Sequence, residues 1–447
     1  MGISDLIEQL ARSFQDRQLY LVGGSLRDQL LGRPLNDLDF ATDARPEDIR
    51  ARVESWADSV WFVGEQFGTI GLASDGRKVE ITTFRSDSYN GVSRKPEVSF
   101  GNSIEADLSR RDFTINAMAE NVHTGDVLDP YGGRDDLAAR LVRFVGDAMS
   151  RIREDPLRML RAVRFCAQLG FELDPAGAAA IAIAAGEIAR VSWERIRDEF
   201  DGILLSPYPD DGLRLAIDLS LAQQVMPELL HLHLPEPYRY HMKDLLDHTL
   251  ETVRLVPADK ALRYAALLHD IAKPRTFSAD EAGVHFYRHE HLGAEQTRLI
   301  LHRLKQPASL VHRVGTLVHH HMRIPYYSPS WTDGAVRRLM FDLGDQLEPL
   351  MTLVEADVRA SDPVDIPGFE SLLRDLRSRI AATGEAAEVA RMQPLLDGNE
   401  IMELLGLDPG PRVGEVLDYL LDEQIEGRIT TREEAIAAVR QGFPQTT

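Results

Sequence analysis

The stretch from Tyr20 to Phe40, YLVGGSLRDQLLGRPLNDLDF, constrains this chain more than any other. Leu19-Tyr20-Leu21-Val22 is a short apolar run of the kind that becomes a buried strand. Gly23-Gly24-Ser25 follows, and a turn without Cβ atoms lets backbone N–H groups approach a ligand closely. Leu26 to Leu31 has helical spacing, so the glycines stand at a helix N-terminus, which favours anions. A second strand carries Asp37-Leu38-Asp39-Phe40. Strand side chains alternate, so Asp37 and Asp39 share one face while Leu38 and Phe40 enter a core. Two carboxylates beside a phosphate cradle are what a pair of Mg²⁺ ions needs for phosphoryl or nucleotidyl transfer. A Gly-Gly turn alone is uninformative, and an Asp-x-Asp alone is usually a solvated strand edge. Their succession, with Arg27-Asp28 between them, is what points to chemistry.

The rest of the composition bounds the answer. A chain of 447 residues exceeds one ordinary core and predicts roughly two to four domains. The net charge of −21 argues against a protein that coats nucleic acid non-specifically. A local basic stripe survives that balance. Between Arg140 and Arg164 stand seven arginines (140, 143, 151, 153, 158, 161, 164) against three acids, Asp147, Glu154 and Asp155. Such a stripe on an acidic body suits a protein that grips one RNA in one orientation. The single Cys166 excludes an internal disulfide framework. The small-residue run Ala176 to Ala185 is too short to span a bilayer, and the amphipathic start MGISDLIEQLARSF is no signal peptide. Leu6 stands where N-myristoylation wants Ser or Thr. The cytoplasm is the expected compartment, with no membrane partner.

Along the chain, Arg45 to Trp56 reads as a polar helix, and Val60–Val63, Thr69–Ala73 and Lys78–Arg85 read as strands. Glu80 is a possible third acid near the metals, although a solvent-facing strand position is the commoner case. Ser86 to Asn102, with Gly91, Pro96 and Gly101, reads as a mobile loop. Arg110-Arg111-Asp112-Phe113-Thr114-Ile115-Asn116-Ala117-Met118-Ala119 offers guanidiniums for triphosphate oxygens and a carboxylate for a ribose hydroxyl. Asp129-Pro130-Tyr131-Gly132-Gly133 follows. From Val145 the pattern turns helical. Asp155 and Arg158 are three apart, and a helix would make them neighbours. A carboxylate and a guanidinium together match the amine and ring nitrogen of cytosine or adenine, and leave guanine and uracil mispaired. Ser192 to Phe200 opens with a Ser N-cap candidate.

These strings, in this order, resemble the class II tRNA nucleotidyltransferase (CCA-adding enzyme) and bacterial poly(A) polymerase family over roughly residues 18 to 365. The resemblance implies an α/β nucleotidyltransferase head, a small mixed sheet with helices, followed by an all-α neck and body. It implies catalysis by Asp37 and Asp39 on two Mg²⁺ ions. Nucleotide binding falls to Gly23, Gly24, Ser25, Arg27, Arg111, Asp112, Asn116, Asp155, Arg158, Arg161 and Arg164. The loop at 86–102 would help choose between CTP and ATP, the Asp129–Gly133 string would hinge head against neck, and Arg195 would brace the template helix. The implied partners are tRNA, CTP and ATP.

A second constellation follows. His248 stands in an amphipathic helix, and His269-Asp270 ends the apolar helix Ala261–Leu268. His289, His319-His320-His321 and Asp357 come later. Histidines bunched this way invite a metal. The set resembles the helical HD domain, with His248, His269, Asp270 and Asp357 as ligands of a divalent ion of unknown identity, and His289 and His321 as candidates for a second. The expected division is 1–145 head, 146–236 neck, 237–366 HD domain and 367–447 helical tail. Addition of C and A to a tRNA 3′ end is the preferred reading. Rivals are a poly(A) polymerase, a metal-dependent HD phosphohydrolase acting on RNA ends, and a non-catalytic RNA binder. Intact carboxylates argue against the last, because without metal they repel phosphate. The sequence leaves oligomeric state open.

Overall fold

Leu19–Val22 forms strand β1 and passes without a break into the helix Gly23–Leu30, whose first turn contains the two glycines. The computed structural model describes residues 2–35, 37–62, 68–88, 97–101, 103–232, 244–281, 283–361, 366–383, 389 and 391–443. Strand β2, Asp37–Thr42, returns antiparallel to β1, pairing Leu21 with Phe40. Leu38 and Phe40 are buried while Asp37 and Asp39 take the open face, as alternation requires. β3 (Ser59–Phe62), β4 (Thr69–Ser74) and β5 (Arg77–Thr83) form a meander. β5 then lies parallel to β2 and sets Glu80 directly beside Asp39.

The expected loop at 86–102 is in part a ladder. β6 (Arg85–Ser88) pairs antiparallel with β7 (Glu97–Phe100), and its tip, 89–96, lies outside the described residues. β8 (Ala119–Asn121) and β9 (Val127–Leu128) complete a seven-stranded mixed sheet in the order β3-β4-β5-β2-β1-β8-β9.

Helices follow, as the pattern after Val145 predicts. Ala148–Glu154 and Arg158–Leu169 are separate helices, not one. Asp155 between them is extended, with φ −146° and ψ 102°, because a residue before proline is pushed out of the helical region and residue 156 is Pro. The Asp155/Arg158 pair is therefore not two positions on one helix face. Arg158–Leu169 packs against Trp193–Leu204 and Pro209–Asp218. The approach is close, since a Cβ at Gly202 would lie 2.5 Å from Arg164 Cδ. The Ala-rich stretch is helical over Pro175–Ala184 and tightens to 3₁₀ over Ala185–Arg190.

The chain divides into two compact units, Met1–Pro227 and Glu228–Thr447. In the second, Leu245–Leu255, Lys260–Leu268, His289–Arg303, Ala308–His320 and Leu347–Ala360 pack around Tyr264 and other buried apolar groups. A hairpin, Phe277–Asp280 with Gly283–Phe286, leads into His289. The last three helices, Gly398–Leu405, Pro411–Ile425 and Arg432–Gly442, share a small core of Ile401, Val416, Leu420 and Val439. Part of each of the two expected boundaries, around 227–237 and 363–368, falls outside the described residues, at 233–237 and 363–365.

Phe113 joins sheet to helices in the first unit. It is fully buried, with its ring 5.0 Å from that of Phe144 and 5.5 Å from that of Phe165. Phe113→Ala removes both contacts and leaves a cavity, for an expected loss of about 3–5 kcal/mol. Urea denaturation of the variant against the parent checks this, and a loss below about 1 kcal/mol would contradict the packing described.

Candidate active site and metal centre

Strand β2, the Gly23–Leu30 helix, the segment 110–116 and the Arg158–Leu169 helix line an open cavity of about 540 Å³. Gly23, Gly24, Arg27, Asp39, Arg110, Arg111, Asp112, Asn116, Arg158, Arg161, Arg164, Phe165 and Gln168 line it. Gly23 has φ +65°, and a Cβ there would stand 3.0 Å from Arg111 Nη1. The positive φ favours glycine, and a Cβ would press on the arginine. Ser25, expected to face a ligand, is buried instead. Its hydroxyl donates to the Asp37 carbonyl at 3.1 Å and accepts from the Asp39 N–H at 2.8 Å, so it ties the helix start to the acidic strand.

Asp39 sits among other acids. Burial, then the neighbouring Glu80, push its carboxyl above the usual range; Arg111 opposes them and Asp37 adds a further push. Glu80 itself pairs with Lys78 at 2.5 Å. It is thus beside Asp39 and not a bystander facing solvent, which only the register of β2 on β5 decides. Crowded carboxylates on a strand face form an oxygen donor set suited to hard divalent cations.

Six arginines converge on the cavity, and each has a carboxylate in contact. Arg27 donates to both oxygens of Asp28 at 2.9 Å and to Asn116 Oδ1 at 2.9 Å. Arg110 and Arg111 share Asp107, which is 1% exposed. Arg158 donates to Glu154 at 2.7 Å, and to the carbonyls of Arg151 and Arg110 at 3.1 and 3.0 Å. Arg161 donates to Asp112 Oδ2 through Nε at 2.8 Å and Nη2 at 2.6 Å. Arg164 pairs with Glu199 at 3.1 Å. Burial alone would raise the Asp112 pKa, but Arg161 outweighs it and holds the carboxyl below its ordinary value. Phe165 lies under three of the guanidiniums, Arg27, Arg161 and Arg164, at 5.2, 5.5 and 5.2 Å.

Asp155 does not line this cavity. Its carboxylate accepts from Arg195 at 2.7 Å and from the Leu157 N–H at 3.1 Å, so Arg195 holds the break before the Arg158 helix. Arg110 is placed with the triphosphate guanidiniums by the sequence, whereas Asp107 and Glu199 carry no candidate role there. Asp107 was legible as i,i+3 and i,i+4 to the two arginines, whereas Glu199 reaches the cavity only by helix packing.

The second unit gathers every expected histidine ligand. His269, His289 and His321 each place Nδ1 against a backbone carbonyl, of Ala266, Phe286 and Val318, at 2.8, 2.9 and 2.7 Å. That hydrogen bond fixes each ring's orientation and turns its Nε2 into the cluster. The Nε2 atoms face one another, His248 to His269 at 3.3 Å and His289 to His321 at 3.1 Å. Asp357 Oδ1 lies 2.9 Å from His248 Nε2. Asp270 stands between the pairs, with Oδ2 3.3 Å from His269 and Oδ1 3.5 Å from His289. Its Oδ1 is buried and has no hydrogen-bond donor among the described residues, while Lys273 pairs with Oδ2 at 2.6 Å. The groups His248/His269/Asp357 and Asp270/His289/His321 each fit one cation, and Asp270 is placed to touch both.

Burial opposes a charged His269, but Asp270 and Asp357 outweigh it and raise its pKa to about 10. His321 goes the other way, to about 4, from burial and from the His269 charge. At neutral pH one ligand therefore carries a proton that a metal displaces. Calorimetric titration of Mn²⁺ or Ni²⁺ in buffers of different ionisation enthalpy is expected to show release of about one proton per protein at pH 7, with filling of the His248/His269/Asp357 group. Buffer-independent heats would contradict this.

No helix among the described residues is long and apolar enough to cross a membrane. The family described as "Poly A polymerase head domain" matches residues 19–143. "Probable RNA and SrmB- binding site of polymerase A" matches 170–232, and "HD domain" matches 242–360. An A-adding tRNA nucleotidyltransferase of Deinococcus radiodurans is 34% identical, over 95% of this chain and 96% of its own length. A CCA-adding enzyme of Geobacillus stearothermophilus is 33% identical, over 97% of this chain and 94% of its own. The crystal structure of the Bacillus stearothermophilus CCA-adding enzyme in complex with CTP superposes with a TM-score of 0.72 and 29% identity, covering 99% of this chain and 98% of that one. The chain belongs to the family of tRNA nucleotidyltransferases and poly(A) polymerases, as a nucleotidyltransferase with an HD domain.

Proposed function

We propose that this chain completes tRNA 3′ ends, transferring CMP and AMP from CTP and ATP with release of pyrophosphate, in the cytoplasm. The observation that carries this is the single cavity in which Asp39, the Gly23-Gly24 turn and six arginines converge. Mg²⁺ ions held by Asp37 and Asp39 would supply activation of the RNA 3′-hydroxyl and charge neutralisation on the triphosphate. The protein's own groups do the rest. The helix N-terminus at Gly23-Gly24 and Arg110 and Arg111 receive the triphosphate, since backbone N–H groups and guanidinium forks both suit phosphate oxygens. Arg158 lines the same cavity beside Arg110 and would offer donors to the base edge by releasing one of its present acceptors, and Asp155 would reach that edge only if it leaves Arg195. We assign residues 1–145 to transfer, 146–236 to the neck that grips RNA, 237–366 to the HD domain and 367–447 to a helical tail.

Asp39→Ala is expected to lower transfer at least about a thousandfold, with the fold intact by circular dichroism. His269→Ala is expected to leave transfer within about twofold while removing metal from the second unit. Transfer that survives Asp39→Ala would sink the assignment of the head.

A narrower reading is addition of A alone, favoured by the activity in the name of the Deinococcus relative. Radiolabelled tRNAs ending at the discriminator base, at C and at CC separate the cases. Full CCA addition extends all three, with two C's from CTP alone and A only when ATP is present. A-only addition extends just the CC-ended tRNA, and a long A ladder would mean a poly(A) polymerase.

A further inference from the structure

Resting on the transfer reading above, we propose that Asp107 is a positioning residue that sets the geometry of the triphosphate-binding arginines Arg110 and Arg111. It lies on the helix Ile104–Ser109, 1% exposed, and is not among the residues lining the cavity. Helical spacing places residues 110 and 111 over it, three and four positions on. Each carboxylate oxygen takes one guanidinium. Oδ1 accepts from Arg110 Nε at 3.1 Å and Nη2 at 2.6 Å, and Oδ2 accepts from Arg111 Nε at 3.3 Å and Nη2 at 3.0 Å.

Two adjacent like charges would otherwise splay apart into solvent. Asp107 holds them together, and further contacts fix their direction. Arg111 Nη1 donates to the Asn116 carbonyl at 3.1 Å and abuts Gly23, while Arg110 Nε reaches the Arg85 carbonyl at 3.2 Å. Burial raises the Asp107 pKa, but the two guanidiniums outweigh it and keep the carboxylate ionised. A buried anion with two cations is a template for cation spacing, and that spacing is what a triphosphate meets.

This role differs in sign from simple charge balance. If Asp107 only offset positive charge, neutralising it would make the cavity more positive and tighten triphosphate binding. If it sets geometry, the same change loosens binding. Asp107→Asn keeps the shape but replaces one acceptor by an amide that faces a guanidinium.

The test is calorimetric binding of inorganic triphosphate, CTP and ATP with Mg²⁺ to parent and Asp107→Asn protein, with tRNA affinity and Tm recorded alongside. We expect all three dissociation constants to rise about tenfold and alike, because the triphosphate is common to them, with tRNA affinity unchanged. Steady-state KM for both nucleotides would rise with kcat changed less. Equal or tighter triphosphate binding by Asp107→Asn would overturn the proposal, as would a lower Tm with unchanged dissociation constants. Should Asp107→Asn not fold, Asp107→Glu keeps both acceptors at a longer reach. It is expected to weaken triphosphate binding by a smaller factor, and parent-like binding would overturn the proposal. Binding needs no turnover, so parent protein that binds triphosphate yet extends no RNA would overturn the transfer reading instead.

Discussion

Mutual repulsion among six guanidiniums is the force the first unit is built to contain. Two unit charges 4 Å apart cost about 1 kcal/mol in water and about 4 kcal/mol at the effective dielectric of a protein surface. Six of them around one cavity call for opposing charge. The opposition comes from carboxylates outside or at the edge of the cavity, with Asp107 and Glu199 each serving two arginines. Asp112 holds Arg161, and Phe165 puts a π face under three guanidiniums. Removing one carboxylate from such a buried set costs about 3–5 kcal/mol, because its partners stay charged. The result is a cationic surface whose shape is fixed before any triphosphate arrives.

The two units solve opposite electrostatic problems by the same means. Around Asp39 the crowding is of acids, and in the second unit it is of imidazole Nε2 atoms that face one another at 3.1 and 3.3 Å. Backbone carbonyls fix three of those rings by their Nδ1 atoms, which prevents them from turning away.

Much of this was legible in the sequence. The strand–glycine–helix–strand order of 19–40 has one sensible fold, since alternation alone sorts Leu38 and Phe40 from Asp37 and Asp39. The HD histidines were legible as a set because their order along the chain resembles that of the HD domain. The Asp155/Arg158 geometry was misread for a local reason. A spacing of three suits one helix, but the proline at 156 pushes Asp155 out of the helical region and ends the preceding helix there. The loop at 86–102 was underestimated because a strand ladder needs a partner, and sequence spacing does not reveal pairing.

The sequence by itself determined which groups this protein carries and which face of each element they occupy, because periodicity and backbone sterics are local. Tertiary structure alone decided which of them meet. Glu80 joins Asp39 only through the parallel register of β5 on β2, and Glu199 joins Arg161 and Arg164 only through the packing of two helices. Asp270 stands between two histidine pairs only because residues 248, 269, 289 and 321 come together from separate helices. Such long-range contacts depend on how elements pack, and no window of sequence contains both partners.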